Sequence, residues 1–332
     1  MLATMADSRI YPLLEVSRAE LEALVDAPIA MIELLQGGFT NTLHRVALTH
    51  GDAVVVKHYA SGASAYRDEL AALTALSGKL PVPEVVRADE SRRAIVYRWI
   101  AGSTLDDCRR EQPAAAFASL ADPLGRLFGW LARTDPIDAT DRWDVGALVE
   151  TARGQLADGR ARSRMGDPLA DALVRMFDAA GDRLAWGPRC LCHHDIGGRN
   201  ILVQGVDERC EETGDWNPAG SAGRAGGRAP GIDERWRIGG VIDWEDAGTG
   251  SPLVDLGSLF RYPTRYTAVF RGEFEVGYRE VGGTLPDDWY RTARLIDALR
   301  VIDTLDVVRE LPGVFADCRM LLAKLAADLN AA

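Results

Sequence analysis

Two short stretches of the chain concentrate the side chains that could do chemistry. The first is Leu191-Cys192-His193-His194-Asp195-Ile196-Gly197-Gly198-Arg199-Asn200-Ile201-Leu202-Val203, which has the form H-x-D-x-x-x-x-N followed by an apolar run. Gly197 and Gly198 let the chain turn sharply between the Asp and the Asn, bringing both side chains to one place. The second is Gly239-Gly240-Val241-Ile242-Asp243-Trp244-Glu245, an apolar strand that ends in a carboxylate. Mg²⁺ takes hard oxygen ligands. Around a nucleoside triphosphate, one Asp and one Asn commonly supply two of them, with phosphate oxygens and water completing the shell. Asp195 then stands as the catalytic carboxylate, with Asn200 and Asp243 as the metal ligands of a phosphoryl-transfer site. Taken singly, each would read as a turn or capping residue. Taken together in this order, they point to catalysis.

In these motifs the chain resembles the aminoglycoside phosphotransferase and choline kinase-like group, distant relatives of protein kinases, over nearly its whole length. That group shows a catalytic H-x-D-x-x-x-x-N followed by I-D-W-E, matched here at His193 to Asn200 and at Ile242 to Glu245. A later Asp in a small apolar motif is matched by Ser251-Pro252-Leu253-Val254-Asp255-Leu256. The resemblance implies that Asp255 tethers the catalytic loop and that His193 is a scaffold beneath it. Two departures stand out: His194 occupies a position that is often glycine in the group, and Arg199 directly precedes the metal-binding Asn.

The resemblance also requires a lysine on a strand to grip ATP and a helix carboxylate to orient it. Val54-Val55-Val56-Lys57 supplies the lysine, which by analogy contacts the α- and β-phosphates, and Glu69 on the next helix is its pairing candidate. Gln36-Gly37-Gly38-Phe39-Thr40-Asn41-Thr42 lies where the nucleotide loop should be. Gly37 and Gly38 allow backbone N–H groups to approach phosphate, and Thr40 or Asn41 can add donors. Tyr97, Trp99 and Ile100 belong to the expected hinge, whose backbone meets adenine. The implied cofactors are ATP, with GTP as an alternative, and Mg²⁺.

The implied reaction is transfer of the γ-phosphoryl group to a hydroxyl of a small molecule. The favoured acceptor is an antibiotic, an aminoglycoside or another, or a related secondary metabolite, as in antibiotic-resistance enzymes. Choline, an amino alcohol, homoserine or a sugar are the alternatives. Glu245, Asp246, Trp289, Asp297, Asp303 and Asp306 could line a pocket for a cationic or hydroxyl-rich ligand, although helix-surface charge is the plainer reading for several of them. A peptide acceptor is disfavoured, because no D-F-G or A-P-E signature marks an activation segment and Asp243 is followed at once by Trp244-Glu245. Retention of Lys57, Asp195, Asn200 and Asp243 argues against a catalytically dead pseudokinase.

The elements that must position these groups follow from hydrophobic periodicity. Ser17-Arg18-Ala19-Glu20 is a capping box that opens a helix running through about Val25. Strand-like runs follow at Ile32 to Leu35, Leu43 to Leu48, Ala53 to His58 and Ala94 to Trp99, interrupted by one helix from Ala65 to Leu76. After Gly102 the pattern is mainly helical, as in Leu120, Leu124, Leu127, Phe128 and Leu131, and again from Pro168 to Leu184 and around Leu295 to Leu305. The predicted fold is α+β, bilobal and protein-kinase-like, with a small antiparallel-sheet N-lobe holding one helix and a larger, mainly helical C-lobe. Its predicted parts are a helical extension at 1–27, a nucleotide-binding lobe at 28–101 and a catalytic and substrate-binding lobe at 102–332. Within the last, 205–237 is a glycine-rich run of turn formers that reads as a flexible insertion between two strands.

Composition sets the remaining bounds. A chain of 332 residues with 47% hydrophobic content can bury a substantial core. A formal net charge of -11 disfavours binding to nucleic acid or anionic membrane, since both are polyanions. Five scattered cysteines fit a reducing compartment better than a disulfide framework. Cys190, Cys192, His193 and His194 cluster, but a zinc site needs a second ligand pair at a recognisable spacing, which the sequence lacks. With no apolar run long enough to span a bilayer and no basic-then-apolar leader, the expected location is cytoplasmic.

Overall fold

The computed structural model describes residues 9, 11–36, 40–137, 144–206 and 235–330. The chain enters through helix α1 (Arg18–Val25), whose capping box is formed as the sequence predicts: the Ser17 side chain accepts from the Glu20 backbone N–H, and the Glu20 carboxylate accepts from that of Ser17. Leu21 and Leu24 of this helix pack with Val46, Val54, Val56 and Val96 on one face of the first sheet.

That sheet is antiparallel and contains β1 (Ile29–Leu34), β2 (Thr42–Leu48), β3 (Ala53–His58), then, after helix α2 (Ala63–Leu76), β4 (Val85–Asp89) and β5 (Ala94–Arg98). Its strand order is β1-β2-β3-β5-β4. Two features differ from the sequence reading. β1 starts at Ile29, ahead of the predicted Ile32, because buried Ile29 joins the cluster under α1 and a bulge between Ile29 and Met31 resets the register. The edge strand β4 was not predicted: its mostly exposed Val-Val-Arg-Ala-Asp lacks an alternating apolar face and follows two prolines. The opposite sheet face, with Val55, Tyr59, Ile95 and Tyr97, packs against Tyr66 and Ala65 of α2.

Beyond the sheet, β6 (Ser103–Thr104) pairs with β8 and leads into α3 (Leu105–Glu111), α4 (Ala114–Ser119), α5 (Ala121–Leu131), α6 (Val145–Ala157), α7 (Arg160–Met165) and α8 (Asp167–Ala180). Then come β7 (Cys190–Cys192), β8 (Ile201–Val206), β9 (Arg235–Val241), β10 (Gly248–Gly250), α9 (Pro252–Leu259), α10 (Ala268–Glu280), α11 (Trp289–Asp306) and α12 (Pro312–Asn330). The main core fills this second part: Leu124, Leu127 and Phe128 of α5 join Phe270, Phe274 and Tyr278 of α10 and the buried side of α11. The α5–α10 crossing is close enough that a Cβ at Gly125 would sit 2.0 Å from the Phe274 carbonyl oxygen, so only glycine fits there. The whole is an α+β fold with an antiparallel N-terminal sheet and a helical C-terminal part. Strands β8 and β9 run antiparallel from Ile201↔Val241 to Val206↔Arg235. The ends of the predicted insertion, 205–206 and 235–237, therefore belong to strands, and the rest of it lies outside the described residues.

Candidate active site

The two motifs read from the sequence meet at the ends of short strands. His193 to Asn200 links β7 to β8, and Asp243 to Asp246 links β9 to β10. The first loop is held from below by one carboxylate. Asp255, buried on α9, accepts the backbone N–H of His193 at 2.9 Å through Oδ2 and that of His194 at 2.8 Å through Oδ1. Burial pushes the Asp255 carboxyl up, against the opposing pull of these two N–H groups.

His193 then pins the two loops together. Its Nδ1 lies 3.2 Å from the Asp195 backbone N–H and its Nε2 lies 2.9 Å from the Ile242 carbonyl. A backbone N–H can only donate and a carbonyl can only accept, so the ring carries its proton on Nε2 and a lone pair on Nδ1. The Ile242 N–H closes the clamp by donating to the Asn200 carbonyl at 3.0 Å. Asp195, Asn200 and Asp243 are thereby each at or next to an anchored residue.

Within the loop, the Gly197 N–H donates to the Asp195 carbonyl at 2.8 Å and the Asn200 N–H to the Gly197 carbonyl at 2.9 Å. Gly198 is required at its position, because a Cβ there would meet Asp106 Oδ1 at 2.6 Å. Asp106 is itself fixed by Arg265, whose Nη1 lies 2.9 and 2.8 Å from its two oxygens. His194 and Asp243 both hold left-handed backbone angles, φ 66° and φ 69°. The φ of His194 explains why glycine suits that position. Here the histidine is retained by its ring, with Nδ1 2.9 Å from the Asp246 carbonyl. Cys190 and Cys192 are buried free thiols whose sulfurs lie 3.7 Å apart and which contact the carbonyls of Gly250 and Ser251.

On the sheet side, Lys57 of β3 is 1% exposed, and its Nζ lies 2.6 Å from Glu69 Oε2 and 2.5 Å from Asp243 Oδ1. Tyr59 donates its hydroxyl to the same Glu69 oxygen at 2.6 Å. Burial alone would lower the Lys57 pKa, but Asp243 and Glu69 overrule it and hold the ammonium charged, well above its ordinary value. Desolvation in the cleft pushes the Asp243 carboxyl up, yet Lys57 above all brings it below the usual range.

Glu245 is a contributor the sequence reading had assigned only to pocket lining. It reaches the nucleotide-loop side: Thr40 Oγ1 donates to its Oε1 at 2.8 Å, Asn41 Nδ2 donates to its Oε2, and Lys57 Nζ lies 3.5 Å away. Burial raises the Glu245 carboxyl, opposed by Lys57 and reinforced by Asp243 and Glu69. Asn41 Oδ1 also accepts the Ala60 N–H at 3.2 Å, which ties the loop to the end of β3. Gly37 and Gly38 lie outside the described residues. At the expected hinge, buried Tyr97 shares the sheet face of Val55 and Tyr59, while the Trp99 N–H is committed to the Ala53 carbonyl at 3.0 Å. Trp99 carries Arg45 over its ring at 4.7 Å, and Ile100 packs against Gly240.

The residues present suit a hard divalent cation. Glu69, Asp243 and Glu245 offer oxygens within 4.8 Å of one another, an excess of negative charge over Lys57. The Asp243 side chain is 41% exposed. Asn200 spends its NH₂ group on the Asp195 carbonyl at 2.9 Å, which leaves the carboxamide oxygen as the end able to bind an ion.

A family model described as the phosphotransferase enzyme family matches residues 32–214 and 232–295. Among solved structures, the chain is similar to a choline/ethanolamine kinase family protein from Mesorhizobium loti, with TM-score 0.61 and 21% identity over 95% of this chain and 98% of that one. It is also similar to wild-type aminoglycoside 2'-phosphotransferase-IIIa in its GDP complex, with TM-score 0.66 and 19% identity over 93% and 96%. A third is a macrolide 2'-phosphotransferase from Brachybacterium faecium, with TM-score 0.60 and 14% identity over 91% and 96%. At these identities the likeness is one of fold, the protein-kinase-like fold. No curated protein matches the chain in sequence.

Proposed function

The chain belongs to the phosphotransferase enzyme family and is a small-molecule kinase, and on that footing we propose that it transfers the γ-phosphoryl group of ATP to a hydroxyl of an antibiotic or related secondary metabolite. Asp195 orients the acceptor hydroxyl and takes its proton, Lys57 holds the nucleotide phosphates, and Glu69 and Tyr59 hold Lys57. The single observation that carries this reading is the Lys57 ammonium, 2.6 Å from Glu69 and 2.5 Å from Asp243. It joins the sheet to the loop that the His193 clamp ties to Asp195.

Asn200 and Asp243 are the residues that would hold Mg²⁺, with Glu245 adjacent. The ion supplies charge neutralisation for the triphosphate when bound. Thr40, Asn41, Gly37 and Gly38 serve the phosphates, and Tyr97, Trp99 and Ile100 serve the base. ATP is the favoured donor and GTP the alternative. One relative in fold was solved with GDP. We further propose that the nucleotide-binding lobe spans 28–101 and the acceptor-binding lobe 102–332, in a cytoplasmic enzyme. Among the described residues, no helix is long and apolar enough to cross a membrane.

Two of the candidate acceptor carboxylates are already paired with cations. Asp297 lies 2.7 Å from Arg261, Asp303 accepts from Gln155 at 2.8 Å, Asp306 accepts the Ala161 N–H at 2.9 Å, and Glu245 serves Thr40 and Asn41. Of these, Asp297 is neutralised by Arg261 and Glu245 faces Lys57, whereas Asp303 and Asp306 accept from uncharged amide N–H groups, which cancel no charge. Incubating the protein with Mg·ATP and a panel of macrolides, aminoglycosides, amino alcohols, homoserine and sugars, then seeking gain of one phosphate by mass spectrometry, tests the reading. ATP binding without transfer to any acceptor would count against it.

A further inference from the structure

Arg199 has no part in the scheme above, yet it occupies the most exposed charged position of the loop. Its Nη2 lies 3.0 Å from Asp195 Oδ2, and its side chain is 56% exposed against 23% for Asp195. The pair is not needed to shape the loop. Asp195 is already fixed through its N–H to His193, its carbonyl receives Gly197 and Asn200, and its carboxylate lies 3.5 Å from the Asn200 NH₂ group. An exposed i,i+4 ion pair adds little to stability in any case. The guanidinium therefore sits beside the carboxylate that receives the acceptor proton. A phosphoryl group passing to an acceptor hydroxyl held by Asp195 must arrive within reach of it.

We propose that Arg199 is a phosphoryl-contacting catalytic residue, whose guanidinium leaves Asp195 and donates to the equatorial oxygens of the γ-phosphoryl group during transfer. The inference rests on the phosphotransferase reading above and adds a residue to it. In the step, the acceptor oxygen forms a bond to phosphorus and the bond from phosphorus to the β,γ-bridging oxygen breaks. ADP departs with that electron pair, and the acceptor proton passes to Asp195. The planar fork of arginine suits oxygens spread in a plane about phosphorus, which a lysine point charge matches less well. Release of Arg199 also frees the Asp195 oxygen that the acceptor hydroxyl needs. Pairing in the resting enzyme thus keeps both groups near the reaction path.

The test compares wild type, Arg199→Met and Arg199→Lys for binding of Mg·ADP with and without aluminium fluoride, a planar stand-in for the phosphoryl group. Intrinsic Mg·ATP hydrolysis serves as a second readout. Wild type should bind Mg·ADP more tightly with aluminium fluoride present. R199M should bind Mg·ADP equally well but lose at least about tenfold of that tightening, with hydrolysis falling on the order of 100-fold. R199K should fall between the two. Thermal denaturation should show all three folded, as expected for an exposed side chain. Equal tightening in R199M and wild type overturns the proposal, and so does a wild type that binds Mg·ADP but is not tightened. A wild type that fails to bind Mg·ADP at all instead removes the phosphotransferase reading beneath it.

Discussion

Lys57 and Asp243 are separated by 186 positions in the chain, and their side chains meet at 2.5 Å. The contact joins a strand of the N-terminal sheet to the loop after β9, and Glu69 completes it from α2 at 2.6 Å. Three carboxylates surround one buried ammonium, which offsets part of their charge.

Removing the ammonium should therefore cost more than a surface ion pair. Lys57→Met should destabilise the nucleotide-free protein by about 3–5 kcal/mol, because it leaves the buried Glu69 carboxylate uncompensated and facing Asp243 and Glu245. Adding Glu69→Gln to that variant should recover part of the loss, by removing one of those charges. Urea denaturation of the wild type, both single variants and the double variant gives the cycle. A double variant no more stable than Lys57→Met would show that the carboxylates are solvated and that the cluster is not strained by charge.

At His194 the usual order of substitutions should reverse. Glycine ordinarily weakens a fold more than alanine does, but the φ of 66° at this position is open to glycine and resisted by alanine. Both variants lose the ring's contact with the Asp246 carbonyl equally. His194→Gly should therefore be more stable than His194→Ala by about 1 kcal/mol, read from urea midpoints. Alanine at or above glycine would mean the loop relaxes out of the left-handed region when the ring is lost.

The sheet carries a second histidine pair that should make stability depend on pH. His44 on β2 and His58 on β3 are buried, with ring centroids 6.5 Å apart. Burial lowers both pKa values, and for His58 the His44 charge lowers it further while Glu20 opposes. A histidine whose folded value lies below its unfolded value of 6.5 gives full stability above that pH. The contribution is lost as the pH falls through 6.5 towards the folded value, because the unfolded chain binds the proton more readily. The urea midpoint should fall from about pH 7.5 to 5, and His44→Gln/His58→Gln should flatten that fall. An unchanged slope in the double variant would assign the acid sensitivity to other groups.

How much of this was legible in the sequence depended on range. H-x-D-x-x-x-x-N and I-D-W-E are local patterns, and the valine run before Lys57 and the helix carrying Glu69 were readable from composition and periodicity. Contacts made across the fold were not. Glu245 meets Thr40 and Asn41 across more than 200 positions, and nothing in I-D-W-E says which element its last carboxylate will face. Asp106 under Gly198, itself held by Arg265, carries no sequence signal, since each looks like a helix-surface charge until the loop is folded over it. Arg199 was visible only as a departure from a pattern, and its pairing with Asp195 gave it meaning. β4 escaped notice because an exposed edge strand has no buried face to imprint a period of two.

The central claim is that Asp195 receives the acceptor proton while other residues bind the nucleotide, and Asp195→Asn separates those roles most directly. With an acceptor taken from the panel, the variant should bind Mg·ATP within about threefold of wild type while the rate of transfer falls by about 10³ or more. Transfer at near wild-type rate by Asp195→Asn would contradict the account.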